Sequence, residues 1–132
     1  MNAAWYNYRG EKCREIHKAP FNGNYPANDV VIPEGVKGNI GLIITGYLRV
    51  PEDGVYTFSL MSDDGSWLKI DGNMVVDNDR PQSPHEEVSQ QALKAGLHKI
   101  EVRYFDSNGG MLRLWVFDTK GQKMQPADIY FK

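Results

Sequence analysis

Apolar residues in this chain fall into short runs rich in Val, Ile, Leu, Tyr, Phe and Trp, and nearly every run is bounded by Gly, Pro, Asn or Asp. Runs of this length and chemistry read as strands rather than helices. Several alternate with a period of two. In Val55–Ser62, Tyr56, Phe58 and Leu60 share one face, with Thr57 and Ser59 on the other. Leu97–Asp106 sets Ile100, Val102 and Tyr104 against Lys99, Glu101 and Arg103. Met111–Asp118 sets Leu112, Leu114 and Val116 against Met111, Arg113, Trp115 and Phe117. Each pattern is that of a strand with one buried face.

The punctuation between runs is equally directive. Pro51-Glu52-Asp53-Gly54 separates Leu42–Val50 from Val55–Ser62, and a proline followed by a turn-closing glycine predicts a β-hairpin there. Asp71-Gly72 is a favoured type I′ pair, so Trp67–Asp71 and Met74–Asp77 form a second hairpin with Leu68 and Ile70 facing Val75. Ser83–Gln91 is the best helical candidate, and no amphipathic helix exceeds two turns. Lys18–Gly41 and Asp77–Pro84 carry little pattern and read as long loops or edge strands, the places where compact β domains keep their binding functions. Eight or more short strands in a chain of 132 residues give one all-β domain, an antiparallel two-sheet β-sandwich or partly closed barrel.

Several function classes drop out. Lys and Arg total 15 against 17 Asp and Glu, a formal charge of −2, and the most basic stretch, Arg9–Lys18, is broken by Glu11 and Glu15. Nucleic-acid binding calls for a basic excess or stripe, so no nucleic-acid partner is expected. No apolar run approaches the roughly 18 residues of a membrane span, so no membrane insertion is expected. Cys13 is the single cysteine, which excludes an intramolecular disulfide and a cysteine-based zinc site and leaves a buried or incidental thiol as the reading. His85-Glu86-Glu87-Val88-Ser89 lacks the second histidine of a zinc-protease motif. Gly35, Gly38 and Gly41 are followed by no Lys-Ser or Lys-Thr pair, and no G-x-S-x-G elbow occurs. A non-catalytic role is therefore expected. Met1-Asn2-Ala3-Ala4-Trp5 has no signal-peptide character. With the short length, this favours a domain excised from a larger protein.

The most unusual motif is Ser62-Asp63-Asp64-Gly65-Ser66, between two expected strands. Neighbouring side chains on an extended backbone point to opposite faces. Asp63 and Asp64 can therefore hold one ion only if the backbone is kinked or their peptide bond is cis; otherwise Asp63-Asp64-Gly65 is a hairpin turn. A hard cation such as Ca²⁺ takes oxygen ligands. The Asn108-Gly109-Gly110 loop can add the Asn108 amide oxygen and carbonyls such as that of Gly110. Trp67 and Trp115 each fall opposite an aliphatic set, either as sugar-stacking surfaces or as the core of a two-sided sheet. His85 lies in loop sequence where it can touch a ligand, whereas His98 in its strand reads as partly packed.

Taken together, Gly46–Leu60, Ser62–Gly72, Val75–Asn78, Leu93–Ile100, Tyr104–Asp106 and Leu112–Trp115 strongly resemble the PA-fourteen family, the β-sandwich domain named after a toxin protective antigen. The resemblance covers Ile40–Val116 well and the whole chain more loosely. It implies a two-sheet sandwich of the kind appended to secreted bacterial glycoside hydrolases, fungal adhesins and toxins. In the lectin-like branch the aspartate pair forms a cis peptide and binds Ca²⁺, an asparagine from a later loop completes the site, and the ion contacts sugar hydroxyls. Carried over, this makes Asp63, Asp64, Asn108 and Gly110 metal ligands and Asp63, Asp64, Trp67 and His85 carbohydrate-binding residues. The chain departs from the pattern at Trp67, where enzyme-attached members commonly have a basic residue. It departs again at Asp79–His85, where a Gly-Leu-His is common. The implied function is a carbohydrate-binding or accessory module of a secreted glycoside hydrolase, with a glycan or polysaccharide and the neighbouring catalytic domain as partners. It would work in an extracellular, periplasmic or cell-surface setting. The alternatives are a structural domain packing against a catalytic domain and an adhesion or protein-interaction module.

Overall fold

In the computed structural model, which describes residues 1–132, ten strands form two sheets. They are β1 (Asn2–Asn7), β2 (Phe21–Pro26), β3 (Ile40–Val50), β4 (Gly54–Asp63), β5 (Ser66–Ile70), β6 (Asn73–Asn78), β7 (His85–Leu93), β8 (Gly96–Asp106), β9 (Met111–Phe117) and β10 (Tyr130–Phe131). The larger sheet runs β2-β1-β3-β8-β5-β6, with β10 also pairing β3, and the smaller runs β7-β4-β9. Every pairing is antiparallel. The result is an open β-sandwich rather than a closed barrel, with one 3-10 helix at Cys13–Lys18 and one helical turn at Pro126–Ile129.

The alternating faces lie where the sequence puts them. Tyr56, Phe58 and Leu60 of β4 and Leu112, Leu114 and Val116 of β9 pack against Leu42, Ile44 and Leu48 of β3 and Ile100, Val102 and Tyr104 of β8. Burying each such side chain contributes about 1.5–3 kcal/mol. A smaller cluster lies on the other side of the larger sheet. There Cys13 and Ile16 of the 3-10 helix cover Ile43, Trp67 and Phe105. Burial, with Asp79 close by, pushes the Cys13 thiol far above its ordinary range, so it is an inert packing residue.

Three expectations change. Pro51–Gly54 does not close a hairpin: β3 lies in the larger sheet and β4 in the smaller. Both edges of β3 are already taken, by β1 and β10 on one side and β8 on the other, so the chain must cross to the second sheet. The Tyr56 hydroxyl anchors that corner by donating to the Glu52 carbonyl at 2.7 Å, and the Ala95 N–H donates to Asp53 Oδ1 at 2.7 Å. Ser83–Gln91 is not helical, because His85–Leu93 pairs with the free edge of β4 and that ladder overrides local propensity. The second hairpin forms, with Asp71 at φ 53° and Gly72 at φ 81°, as a type I′ turn requires. A bulge beside Lys69, however, pairs Leu68 with Val76 and leaves Val75 as the extra residue.

His98 is mostly buried beside that turn. Burial lowers its pKa, but the Asp71 carboxylate, 2.6 Å from Nδ1, and the Lys94 carbonyl, 2.7 Å from Nε2, outweigh it, and the net shift is upward. A raised folded pKa favours the charged imidazole in the fold. Its stabilisation is complete below the unfolded value of about 6.5 and is lost as pH rises through the higher folded value. Asp71→Asn keeps the turn and the Lys99 N–H bond to Oδ1. It should destabilise the fold clearly below pH 6, by about 1 kcal/mol or less for so exposed a partner, and hardly at all near pH 9. Melting curves showing the same loss at both pH values would refute this.

Candidate functional site

Two sheet-to-sheet crossings run side by side at one end of the sandwich. The first is the β4–β5 link through Asp63, Asp64 and Gly65, and the second is the β8–β9 link from Asp106 through Gly110. Register places them together: Asp63 pairs with Met111 across β4–β9, and Ser66 pairs with Tyr104 across β5–β8. Asp63-Asp64-Gly65 is therefore an inter-sheet crossing and not a hairpin turn, and the Asp63–Asp64 peptide bond is cis. Carboxylate oxygens of Asp63, Asp64 and Asp106 lie within 4.8 Å of one another. Asp106 is the residue that the sequence reading missed. The signal was present, since the inward period Val102, Tyr104 continues to position 106.

The trio is short of positive charge. Asp106 is almost fully buried and accepts the Gly110 N–H at 2.7 Å and a backbone bond from Asn108. Burial, with Asp64 and Asp63 adjacent, still holds its carboxyl above the ordinary range. Burial and then the Asp64 charge raise Asp63 as well. Asp64 is held by the Gln82 N–H at 3.0 Å and more weakly by the Ser107 N–H at 3.4 Å. None of the molecule's ion pairs reaches any of the three. Three carboxylates this close, with two shifted upward, repel one another, and a cation between them would relieve the repulsion.

A buried polar frame fixes the crossing from beneath. The Asn78 amide donates to the carbonyls of His85 at 2.9 Å and Leu60 at 3.3 Å. Its Oδ1 accepts from Gln82 Nε2 at 2.9 Å, and the same Gln82 nitrogen reaches the Asp64 carbonyl at 3.2 Å. Ser62 and Ser66 share a hydroxyl bond at 2.6 Å, and the Tyr104 hydroxyl donates to the Asp63 carbonyl at 2.6 Å. Beside the trio opens a cleft of about 160 Å³, with Asp64 and Asp106 in one wall and Arg9, Glu11, Asn39 and Ser107 around it. At about 30 Å³ per water it has room for roughly five waters.

A family model described as PA14 domain matches residues 1–127. The chain belongs to the PA14 family. PA14 domains are non-catalytic binding or accessory modules, and this one is no enzyme. No curated protein sequence matches it. Among solved structures, the PA14 domain of the MpAFP antifreeze protein superposes with a TM-score of 0.83 at 17% identity, over 98% of this chain and 88% of that one. A PA14 sugar-binding domain from an RTX adhesin gives 0.81 at 16% identity, over 98% and 96%. A β-glucosidase from Kluyveromyces marxianus in complex with glucose gives 0.68 at 19% identity, over 96% of this chain but 16% of that one.

The remaining expected residues of this PA14 domain fare differently. Asn108 is exposed and reaches Asp106 through its backbone, while Gly110 bonds Asp106 through its N–H. Trp67 is no stacking surface. It is 7% exposed, packed in the smaller cluster, with Nε1 donating to Glu101 at 3.2 Å and Lys69 and Arg103 over its ring. Its parity sends it to the face the 3-10 helix covers, so core is the correct reading. Trp115 is 37% exposed on the smaller sheet with the Arg113 guanidinium 3.6 Å from its ring centroid. His85 opens β7 opposite Ser62, at the same end as the trio, but its imidazole lies 2.8 Å from Glu87.

A Cβ at Gly110 would stand 1.9 Å from the Asp63 carbonyl oxygen and 2.3 Å from the Tyr104 hydroxyl, so the two crossings touch only because this residue has no side chain. Gly110→Ala should force them apart and lower stability by about 1–3 kcal/mol. Denaturant titration giving a midpoint within error of the unsubstituted chain would show that the crossings can separate freely.

Proposed function

We propose that this PA14 domain is a carbohydrate-binding module that grips glycan hydroxyls through a Ca²⁺ ion held by Asp63, Asp64 and Asp106. The observation that carries this reading is the carboxylate trio itself, its oxygens within 4.8 Å, without a cationic partner, and bordering a cleft. The donor set is all oxygen, which suits Ca²⁺ and argues against the nitrogen- and sulfur-seeking metals. Asn108, through its amide oxygen, and Gly110, through its carbonyl, are the nearest candidates to complete the shell. When bound, the ion would supply positive charge and free coordination positions for vicinal hydroxyls. Arg9, Asn39 and Ser107 around the cleft would then donate hydrogen bonds to the same sugar. The similarity to the sugar-binding PA14 domain of an RTX adhesin supports the ligand class. The β-glucosidase relative, of which this fold spans a small part, supports a glycoside hydrolase as the parent enzyme, and the adhesin relative supports an extracellular, periplasmic or cell-surface site of action.

A second reading, a structural domain seated on a neighbouring catalytic domain, draws on the smaller sheet. Its outer face leaves Val55 and Val88 at least half exposed beside Trp115.

Calorimetric titration of metal-stripped protein separates the two. Ca²⁺ should bind in the micromolar-to-millimolar range and raise the melting temperature. Asp63→Ala should abolish ion and glycan binding together, and Asp106→Asn should weaken the ion by at least about tenfold, the scale of one lost charged contact. Glycan affinity surviving in Asp63→Ala would sink the ion-mediated mechanism. No heat and no thermal shift with Ca²⁺ would leave the structural reading in front.

A further inference from the structure

The larger sheet carries a second and larger depression that shares no residue with the aspartate cleft. The 3-10 helix covers only part of that sheet's outer face. On the rest lies a groove of about 920 Å³. Its floor comes from three adjacent strands: Thr45 and Tyr47 of β3, Lys99 and Glu101 of β8, and Lys69 of β5. Register sets Tyr47 opposite Lys99, and Glu101 between Thr45 and Lys69. A floor of ladder-paired strands is rigid, and the volume is that of a ligand site rather than a crease.

The charges in this groove are unevenly spent. Glu101 is its acidic side chain, and that carboxylate already accepts Trp67 Nε1–H at 3.2 Å and meets Arg103 Nη2 at 3.5 Å. Lys69 and Lys99 belong to no ion pair, and neither does Lys132 at the rim. Lys69 Nζ rests 4.4 Å from the Trp67 ring centroid, which steadies the ammonium without neutralising it. On a protein of net charge −2, this is a pocket of unpaired cations beside a tyrosine ring, a threonine hydroxyl and, on the rim, the amide of Asn24.

We propose that this groove binds an acidic oligosaccharide. Lys69 and Lys99 hold its carboxylate or sulfate groups, a sugar ring lies on Tyr47, and Thr45 and Asn24 meet its hydroxyls. The site is independent of the aspartate trio, so either can fail and leave the other standing. Charge-assisted bonds supply affinity that salt weakens, and the tyrosine selects a sugar over a bare polyanion.

The test titrates the unsubstituted domain, in chelator and low salt, with oligogalacturonate, a neutral malto-oligosaccharide and inorganic polyphosphate. Oligogalacturonate should bind without Ca²⁺ and the neutral sugar should not. Lys69→Gln/Lys99→Gln, checked for an unchanged melting curve, should bind at least about tenfold more weakly, as expected for two lost charge-assisted contacts. Tyr47→Ala should weaken oligogalacturonate alone, and Asp63→Ala should leave its affinity unchanged. The proposal is overturned by absence of oligogalacturonate binding or by full affinity in the double variant. It is overturned equally by loss of binding in Asp63→Ala, which would assign the acidic sugar to the trio. Polyphosphate bound as tightly, with Tyr47→Ala silent, would reduce the groove to a generic polyanion patch.

Discussion

The ladder between β3 and β8, eleven residues on each strand, constrains everything that follows it in the chain. With β8 on one side of β3 and β1 and β10 on the other, β3 has no edge to offer β4, its neighbour in sequence. The chain leaves the sheet instead, and it goes on crossing at β4–β5, β6–β7, β7–β8 and β8–β9. Each crossing is a length of backbone outside the ladders at an end of the sandwich, free of the two-residue period. There the chain can turn adjacent side chains toward one point. Asp64, the first residue past the ladder that ends at Asp63, uses that freedom, and the last residue of β8, Asp106, is delivered to the pair where the adjoining crossing begins.

How much of this the sequence discloses follows from what each feature depends on. The inward faces of β4, β8 and β9 were legible because burial imposes a local alternation, and Tyr56, Phe58, Leu60, Val102 and Leu114 are all buried. The turn at Asp71-Gly72 was legible because positive φ at both positions selects few residue types. The fate of Pro51–Gly54 was not, because a hairpin and an inter-sheet corner ask the same turn chemistry. Only the occupancy of the β3 edges, a property of residues far away in sequence, decides between them. For the same reason Ser83–Gln91 carried a misleading helical tendency. Its conformation is set by the free edge of β4.

The candidate site divides along the same line. Asp63-Asp64-Gly65 stood out as an odd local string, and the Asp63–Asp64 peptide bond there is cis. Asp106 ended an ordinary strand pattern, so its partnership with the pair was visible only once register placed Ser66 opposite Tyr104. Trp67 failed in the opposite sense. Its neighbours in sequence gave the correct face, but what covers that face is Cys13 and Ile16, some fifty residues earlier.

Charge then gives the two depressions opposite character. At the end of the sandwich, three carboxylates crowd together without a cation. On the open sheet, lysines gather around a carboxylate already engaged by Trp67 and Arg103. The carboxylate trio does not serve stability, because like charges held close oppose folding, whereas a core residue contributes by being buried. The uncompensated groups sit where the ladders end or where the 3-10 helix stops short. There a ligand can supply the missing opposite charge without disturbing the strands that hold the site open.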